Sequence, residues 1–189
     1  MHITSRRIAS VLAAASLAIT AAACGESSTA PGGEQELISR VTLTLTPQAG
    51  GAPLTAYIDD PDGNGPQSPT AQVGTLALQA GATYTGTILF ENRLETPPEN
   101  ITEEVEEEAD EHRVYYTVSG AGVTVTTLDT DSQGRPLGLS YRVVAGATAG
   151  TGQLRVVLCH YDDAPKVGSS TSCQGDTDID VIFGYTIAN

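Results

Sequence analysis

Segments in which apolar and polar residues alternate run through most of the chain from Leu37 onward. In the first, Val41, Leu43 and Leu45 alternate with threonines. A period of two places the apolar residues on one face of a β-strand. Similar runs, each bounded by Gly, Pro, Asp or Asn, occupy residues 54–58, 73–78, 84–90, 114–118, 123–128, 139–144, 154–159 and 179–187. The pattern predicts an all-β fold, an antiparallel immunoglobulin-like β-sandwich of about nine strands.

One acidic stretch, residues 99–112, interrupts the strands and holds eight of the 23 acidic residues. Asn100 and Glu103 have capping-box spacing, which predicts a short helix over about 100–111. Its apolar stripe is Ile101, Val105 and Ala109. Because its other positions are mostly acidic and repel one another, we expect packing, a basic neighbour or a cation to hold the helix.

The segments flanking this helix resemble each other. Residues 57–66 align with 127–136, and the sequence AGAT at 80–83 recurs at 145–148. The repetition predicts a single domain over 37–189 with pseudo-repeat halves of about 37–98 and 113–189. Independent use of the same turn residues is the alternative, since Asp, Gly, Asn and Pro recur in many β-proteins.

The N-terminus has the features of an export signal. Residues 1–23 combine two early arginines, an apolar run and small residues before Cys24, which predicts a signal peptide. The segment AAAC resembles a lipobox, in which Cys24 becomes lipidated, and Gly25 resembles the sorting pattern for an outer membrane. Residues 24–36 then form a flexible Gly/Ser-rich tether. An ordinary cleavable signal with a chance cysteine is the alternative.

Charge limits the partners. Removal of the signal leaves seven basic and 23 acidic residues, a net charge of −16. Nucleic acid is therefore an unexpected partner, whereas cations and basic protein surfaces are expected ones.

Two cysteines remain after Cys24. In an oxidising compartment Cys159 and Cys173 are predicted to form a disulfide. Free thiols, or soft metal ligands beside His160, are the alternatives.

The lipoprotein signal, the phrase ENITEEVEEEADEHRVYYT, the segment DTDSQGRPLG and the ending GDTDIDVIFGYTI together resemble a family of uncharacterised bacterial lipoproteins. Its members are often labelled "type 1 periplasmic binding fold superfamily protein". The resemblance covers most of the mature chain and implies no established activity. The label names a two-lobed α/β fold, whereas the strand pattern here predicts an all-β domain.

The acidic helix offers candidate metal ligands. Glu104, Glu108 and His112 recur every four residues, so they share a face, and His160 ends a predicted strand beside two aspartates. Carboxylates and imidazoles at such spacing are ligands for zinc. A solvated acidic face with incidental histidines is the alternative.

Two turns offer candidate calcium ligands. Asp60, Asp62 and Asn64 precede a glycine at calcium-loop spacing, and Asp129 and Asp131 nearly repeat the pattern. The alternative is that these residues only form hairpin turns. In the last strand, alternation predicts that Asp176, Asp178 and Asp180 share one face, where solvent is the commonest neighbour.

Catalytic motifs are missing from the sequence, which has no G-x-S-x-G elbow, no H-E-x-x-H and no phosphate-binding glycine loop. We therefore expect a non-enzymatic binding module, anchored in the outer membrane and facing the periplasm or the cell surface. It is expected to capture a divalent cation or a basic partner for an envelope transporter. The competing expectation is a structural or interaction lipoprotein in which calcium only stabilises turns.

Overall fold

A computed structural model describes residues 36–63, 66–162 and 164–189, and within them the chain forms ten strands and one α-helix. The elements are β1 (Arg40–Pro47), β2 (Leu54–Asp59), β3 (Val73–Gly74), β4 (Leu76–Gln79), β5 (Thr83–Glu91), α1 (Ile101–Glu107), β6 (His112–Gly120), β7 (Val123–Thr127), β8 (Ser140–Ala145), β9 (Gly150–His160) and β10 (Asp176–Ala188). The predicted signal, the predicted lipidation site Cys24 and the predicted tether up to residue 35 lie outside the described residues.

The strands form two sheets that pack face to face. One sheet has the order β3-β2-β1-β5-β8-β7 and the other β4-β10-β9-β6. Val41, Leu43 and Leu45 are buried as their alternation predicts, and they share one core with Val156 and Phe183 of the second sheet. The prediction of a mostly β, sandwich-like fold is confirmed.

The region predicted as one strand over 73–78 divides between the sheets. Val73 and Gly74 pair with β2, whereas Leu76–Gln79 pairs with β10. Gly74 has a φ of +88°, a conformation that favours glycine and turns the chain between the two sheets. Because the β4–β10 pairing is parallel, the prediction of a wholly antiparallel sandwich is wrong at this edge.

The two predicted halves share one pairing. β1 pairs antiparallel with β5, and at the corresponding places β6 pairs antiparallel with β9. The other pairings differ, since β2 pairs with β1 whereas β7 pairs with β8. Each half also contributes strands to both sheets, so the internal repeat stays a prediction.

The acidic helix is shorter than predicted and is held at both ends. Asn100 makes no side-chain cap, and its amide instead donates to the Glu103 carboxylate (2.7 Å). Ile101 and Val105 are buried in the core, as their spacing predicts. Beyond the helix, the Lys166 ammonium donates to the Ala109 carbonyl (2.7 Å). Packing and a basic neighbour therefore hold the acidic segment on the sandwich.

Cys159 and Cys173 form the predicted disulfide, with Cα atoms 5.4 Å apart. With Tyr115, Val157 and Tyr161, Cys159 makes a second small apolar cluster apart from the main core. Among the described residues, no helix is long and apolar enough to cross a membrane.

Candidate metal centre

Two histidines lie directly opposite each other at one end of the four-stranded sheet. His112 begins β6, His160 ends β9, and the antiparallel register pairs them. Their rings stack with centroids 4.1 Å apart and planes 24° apart. Their exposures are only 0% and 3%. Because water does not reach the ring nitrogens, they must find hydrogen-bond or ionic partners inside the protein.

A β-bulge brings Asp178 to this histidine pair. Thr177 pairs with Cys159 and Ile179 with Leu158, so Asp178 is the extra residue in β10. A bulge re-aims the side chain of the extra residue, and Asp178 is completely buried. The prediction that Asp178 shares an outer face with Asp176 and Asp180 is therefore wrong. Those two remain exposed.

The protonation of His112 follows from its contacts. Its Nδ1 lies 3.3 Å from the carbonyl oxygen of Glu108, and a carbonyl only accepts, so Nδ1 carries the hydrogen. Burial, followed by the nearby His160, lowers the pKa of His112 to about 4. The ring is therefore neutral at pH 7, and Nε2 presents a lone pair.

That lone pair faces two carboxylates. His112 Nε2 lies 3.8 Å from Glu36 Oε1 and 3.9 Å from Asp178 Oδ2. It has no hydrogen-bond partner within the described part of the chain. Three electron-rich groups that face one another in a buried space are stable only if a proton or a cation lies between them.

Both carboxyl groups are hard to ionise in this setting. Burial raises the pKa of Glu36 to about 8, and a hydrogen bond with Glu104 adds to the effect. Burial also raises the pKa of Asp178 to about 6, although the His160 charge and the Glu36 backbone oppose the rise. Neither Asp178 oxygen makes a hydrogen bond of ordinary geometry among the described residues.

His160 has its own acidic neighbours. Its Nε2 lies 2.6 Å from Asp162 Oδ1 and 3.9 Å from Glu111 Oε2. The shorter contact lacks hydrogen-bond geometry and is an electrostatic contact. Together, the two rings are surrounded by carboxylates from four parts of the chain: Glu36, the Glu108–Glu111 turn, Asp162 and Asp178.

Two groups of side chains have ligand atoms close enough to hold a metal ion. Glu108, His112 and His160 form one, and Glu111, His160 and Asp162 form the other, with all ligand atoms in each within 4.8 Å of one another. A metal lies in the plane of each imidazole that binds it, so the nearly parallel rings must rotate apart before both bind one ion.

The structure brings together three of the four residues predicted for this site, namely Glu108, His112 and His160. Glu104 instead hydrogen-bonds Glu36. Glu36 was assigned to the flexible tether, but it is buried against the histidine pair, so the tether ends before it. Glu111 directly precedes His112 in the sequence, so its position near the histidines could have been predicted from that adjacency.

The first predicted calcium turn keeps two unsatisfied oxygens. Asp60 Oδ1 and Asp62 Oδ1 are buried without a hydrogen-bond partner in the described chain. Burial raises the pKa of Asp60, and the neighbouring Asp62 carboxylate adds to the rise, although an Asp62 backbone hydrogen bond opposes it. Asn64, the third predicted ligand, lies outside the described residues.

In the second turn the predicted ligand atoms are already occupied. Asp129 accepts the amides of Gly138 (2.7 Å) and Ser140 (2.8 Å). Asp131 accepts from the side chain and amide of Arg135 and pairs with the Lys166 ammonium (3.0 Å). Because two cations neutralise Asp131, the structure gives no support to a calcium site at Asp129 and Asp131, which stays a prediction. These carboxylates fasten the turn.

No protein-family model, curated protein or solved structure matches this chain.

Proposed function

We propose that this protein is an outer-membrane-anchored lipoprotein that acts as a non-enzymatic binding module for a divalent cation, with zinc as the preferred ion. The observation that carries the proposal is His112 Nε2, a buried lone pair that has no hydrogen-bond donor in the described part of the chain and faces two carboxyl groups. Its Nδ1 hydrogen-bonds the Glu108 carbonyl. Histidines that bind a metal through one ring nitrogen commonly donate the other to such a group, which fixes the orientation of the ring.

The donor set favours zinc over calcium. Two imidazoles with a few carboxylates suit zinc, which takes four nitrogen, oxygen or sulfur ligands. Calcium requires six to eight oxygens and has little affinity for imidazole nitrogen. Glu108, His112 and His160 supply one carboxylate and two imidazoles within 4.8 Å.

The acidic surface supports capture and delivery. A net charge of −16 after loss of the signal attracts cations toward the domain over several ångströms. Beside the helix, Glu106, Glu107 and Asp110 line a groove that reaches Asp129. This groove suits a basic surface on a partner such as an envelope transporter, to which the cation is passed. The immunoglobulin-like topology and the lipoprotein family belong to the same proposal, supported by the packed sheets and the sequence motifs.

Thermal unfolding of the full chain, purified in detergent and freed of metal with a chelator, tests the proposal. Zinc at a hundredfold excess over its dissociation constant stabilises a protein by about 2.7 kcal/mol if it binds only the folded state. We expect His112→Ala to abolish most of the resulting rise in Tm. Glu108→Gln should reduce it, whereas Glu107→Gln, an equal charge change on the adjacent exposed residue, should leave it intact.

The absence of any zinc-induced rise in the wild-type chain contradicts the proposal. So does a rise that survives both His112→Ala and Glu108→Gln. Parallel titration with calcium decides the alternative, a structural or interaction lipoprotein in which calcium stiffens a turn. The unsatisfied oxygens of Asp60 and Asp62 favour that alternative. It predicts a rise with calcium alone, which Asp60→Asn removes.

A further inference from the structure

Asp178 and Glu36 also lie beside the histidine pair, but they come from segments far in sequence from Glu108 and His112. Asp178 lies in the bulge of β10, and Glu36 lies at the start of the described chain, before β1. Both carboxylates face the Nε2 side of His112, opposite the Nδ1 that bonds the Glu108 carbonyl. The metal centre therefore has an inner side, built by three separate segments.

On the inner side, Asp178 and His112 supply buried ligand atoms. Asp178 is 0% exposed, and His112 is 0% exposed. Among residues 36–63, 66–162 and 164–189, neither oxygen of Asp178 nor Nε2 of His112 makes a hydrogen bond of ordinary geometry, although the Glu36 backbone contacts the Asp178 carboxylate. A buried carboxylate of this kind is costly unless it is paired or binds a metal. No lysine or arginine pairs with Asp178 in the described chain, and the His112 imidazole 3.9 Å away is neutral at pH 7.

Glu36 belongs to a segment that also joins the other sheet. Ile38 is completely buried in the main core. The Ser39 amide donates to the Glu91 carbonyl (2.9 Å), and the Ser39 carbonyl accepts the Asp60 amide (2.9 Å). Residues 36–39 thus run from the histidine pair on the four-stranded sheet to the six-stranded sheet, where Ser39 bonds the end of β5 and the residue that follows β2.

We propose that Asp178 and Glu36 are inner ligands of the cation, together with His112 Nε2, so that cation binding fastens residues 36–39 to the sandwich. The inference rests on the proposed function, because it requires that the centre bind a cation. It adds a consequence: the segment that directly follows the predicted tether becomes part of the metal centre. Occupancy of the centre then controls how firmly the domain holds the chain that leads to the lipid anchor.

Zinc affinity of matched variants tests the ligand assignment. The full chain in detergent is titrated with zinc in competition with a chromophoric chelator. Asp178→Asn and Glu36→Gln should each weaken zinc binding by about tenfold or more. The control is Asp176→Asn, which removes the same charge two residues along the same strand from an exposed position. It should change the affinity by less than about threefold, since exposed charges are screened.

Amide hydrogen exchange tests the fastening. Zinc suppresses any opening that releases the ion in proportion to its excess over the dissociation constant. Exchange in residues 36–39 should therefore slow by about tenfold or more in the wild type at a hundredfold excess of zinc. In Glu36→Gln the same addition should change it far less. A purely structural role for Glu36 predicts faster exchange in the variant both with and without zinc.

The outcomes separate the two proposals. A wild-type chain that binds no zinc overturns the proposed function and this inference together. A wild type that binds zinc, with Asp178→Asn and Glu36→Gln both binding as tightly as Asp176→Asn, overturns the inference alone. If Asp178→Asn does not fold, Glu36→Gln decides the question, because its site lies at the edge of the domain. Unchanged affinity and unchanged zinc protection in that variant overturn the inference.

Discussion

Lys166 is a fully buried lysine whose ammonium lies between a carboxylate and the end of the acidic helix. It pairs with Asp131 at 3.0 Å, where both side chains have no exposure, and donates to the Ala109 carbonyl. Burial lowers the pKa of Lys166, and the Asp131 carboxylate opposes that change. Asp131 therefore stabilises the buried ammonium group of Lys166 next to the acidic segment.

Replacing Asp131 should destabilise the protein strongly. Asp131→Asn leaves Lys166 buried without its counter-charge, and breaking a buried pair in this way costs about 3–5 kcal/mol. The comparison is Asp180→Asn, which breaks the exposed pair with Arg155 and should cost less than about 1 kcal/mol. Urea unfolding measures both. Equal small losses would show that Lys166 relaxes into solvent.

Acid titration gives a second signature of Asp131. Burial alone would raise the pKa of this carboxyl, but hydrogen bonds from Arg135 and Lys166 outweigh it and hold the pKa well below its usual range. The unfolded chain therefore binds more protons below about pH 4, so stability is present above that pH and lost as the pH falls. We expect the free energy of unfolding to fall more steeply with acid in the wild type than in Asp131→Asn.

Within the six-stranded sheet, Gly86 provides the space that Tyr141 occupies. The two residues are opposite each other in the pairing of β5 with β8. A Cβ at position 86 would lie only 2.3 Å from the Tyr141 ring. Tyr141 is completely buried and packs on Tyr116, with ring centroids 4.4 Å apart. The glycine lets a large aromatic ring cover the backbone of the neighbouring strand.

Gly86→Ala should therefore destabilise the sheet by about 1–3 kcal/mol through overpacking. Gly122→Ala is the matched control, because a Cβ there meets nothing within 4 Å, and it should change stability by about 0.5 kcal/mol at most. Chemical denaturation measures the difference. If crowding is the cause, Tyr141→Leu in the Gly86→Ala background should recover part of the loss. An additive further loss would contradict this explanation.

At the scale of the whole molecule, the chain joins a predicted lipid anchor to an acidic sandwich. The anchor depends on Cys24, which lies outside the described residues, while the sandwich begins at Glu36 beside the candidate metal centre. If the anchor is present, the metal centre lies next to the point where the tether enters the domain.

Cys24→Ser should leave an unlipidated precursor that stays out of the detergent phase on phase partitioning. The wild type should enter that phase because buried acyl chains contribute about 0.8 kcal/mol per methylene to membrane association. Mass spectrometry of the wild-type N-terminus checks the acylation directly. A mutant that partitions with membranes as before would rule out the lipoprotein interpretation.

The sequence by itself determined the features that depend on local period and on composition. Alternation in Val41, Leu43 and Leu45 predicted a strand because the side-chain period of a strand is a property of the backbone. The disulfide between Cys159 and Cys173 followed from two leftover cysteines in a chain predicted to be exported. Four-residue spacing predicted that Glu108 and His112 are neighbours. They are close, but across the turn that follows α1 and not on a helix face, because α1 ends at Glu107 and His112 begins β6.

Only the tertiary structure decided which charged groups meet. Asp178 looks like an outward residue until the register of β10 against β9 shows the bulge that turns it inward. Lys166 neutralises Asp131 across 35 positions of sequence. Glu36, which the sequence placed in the tether, lies against His112 of a distant strand. Such contacts depend on strand pairing and on the packing of one sheet against the other. No local pattern records them, because the residues involved become neighbours only after the sheets have formed.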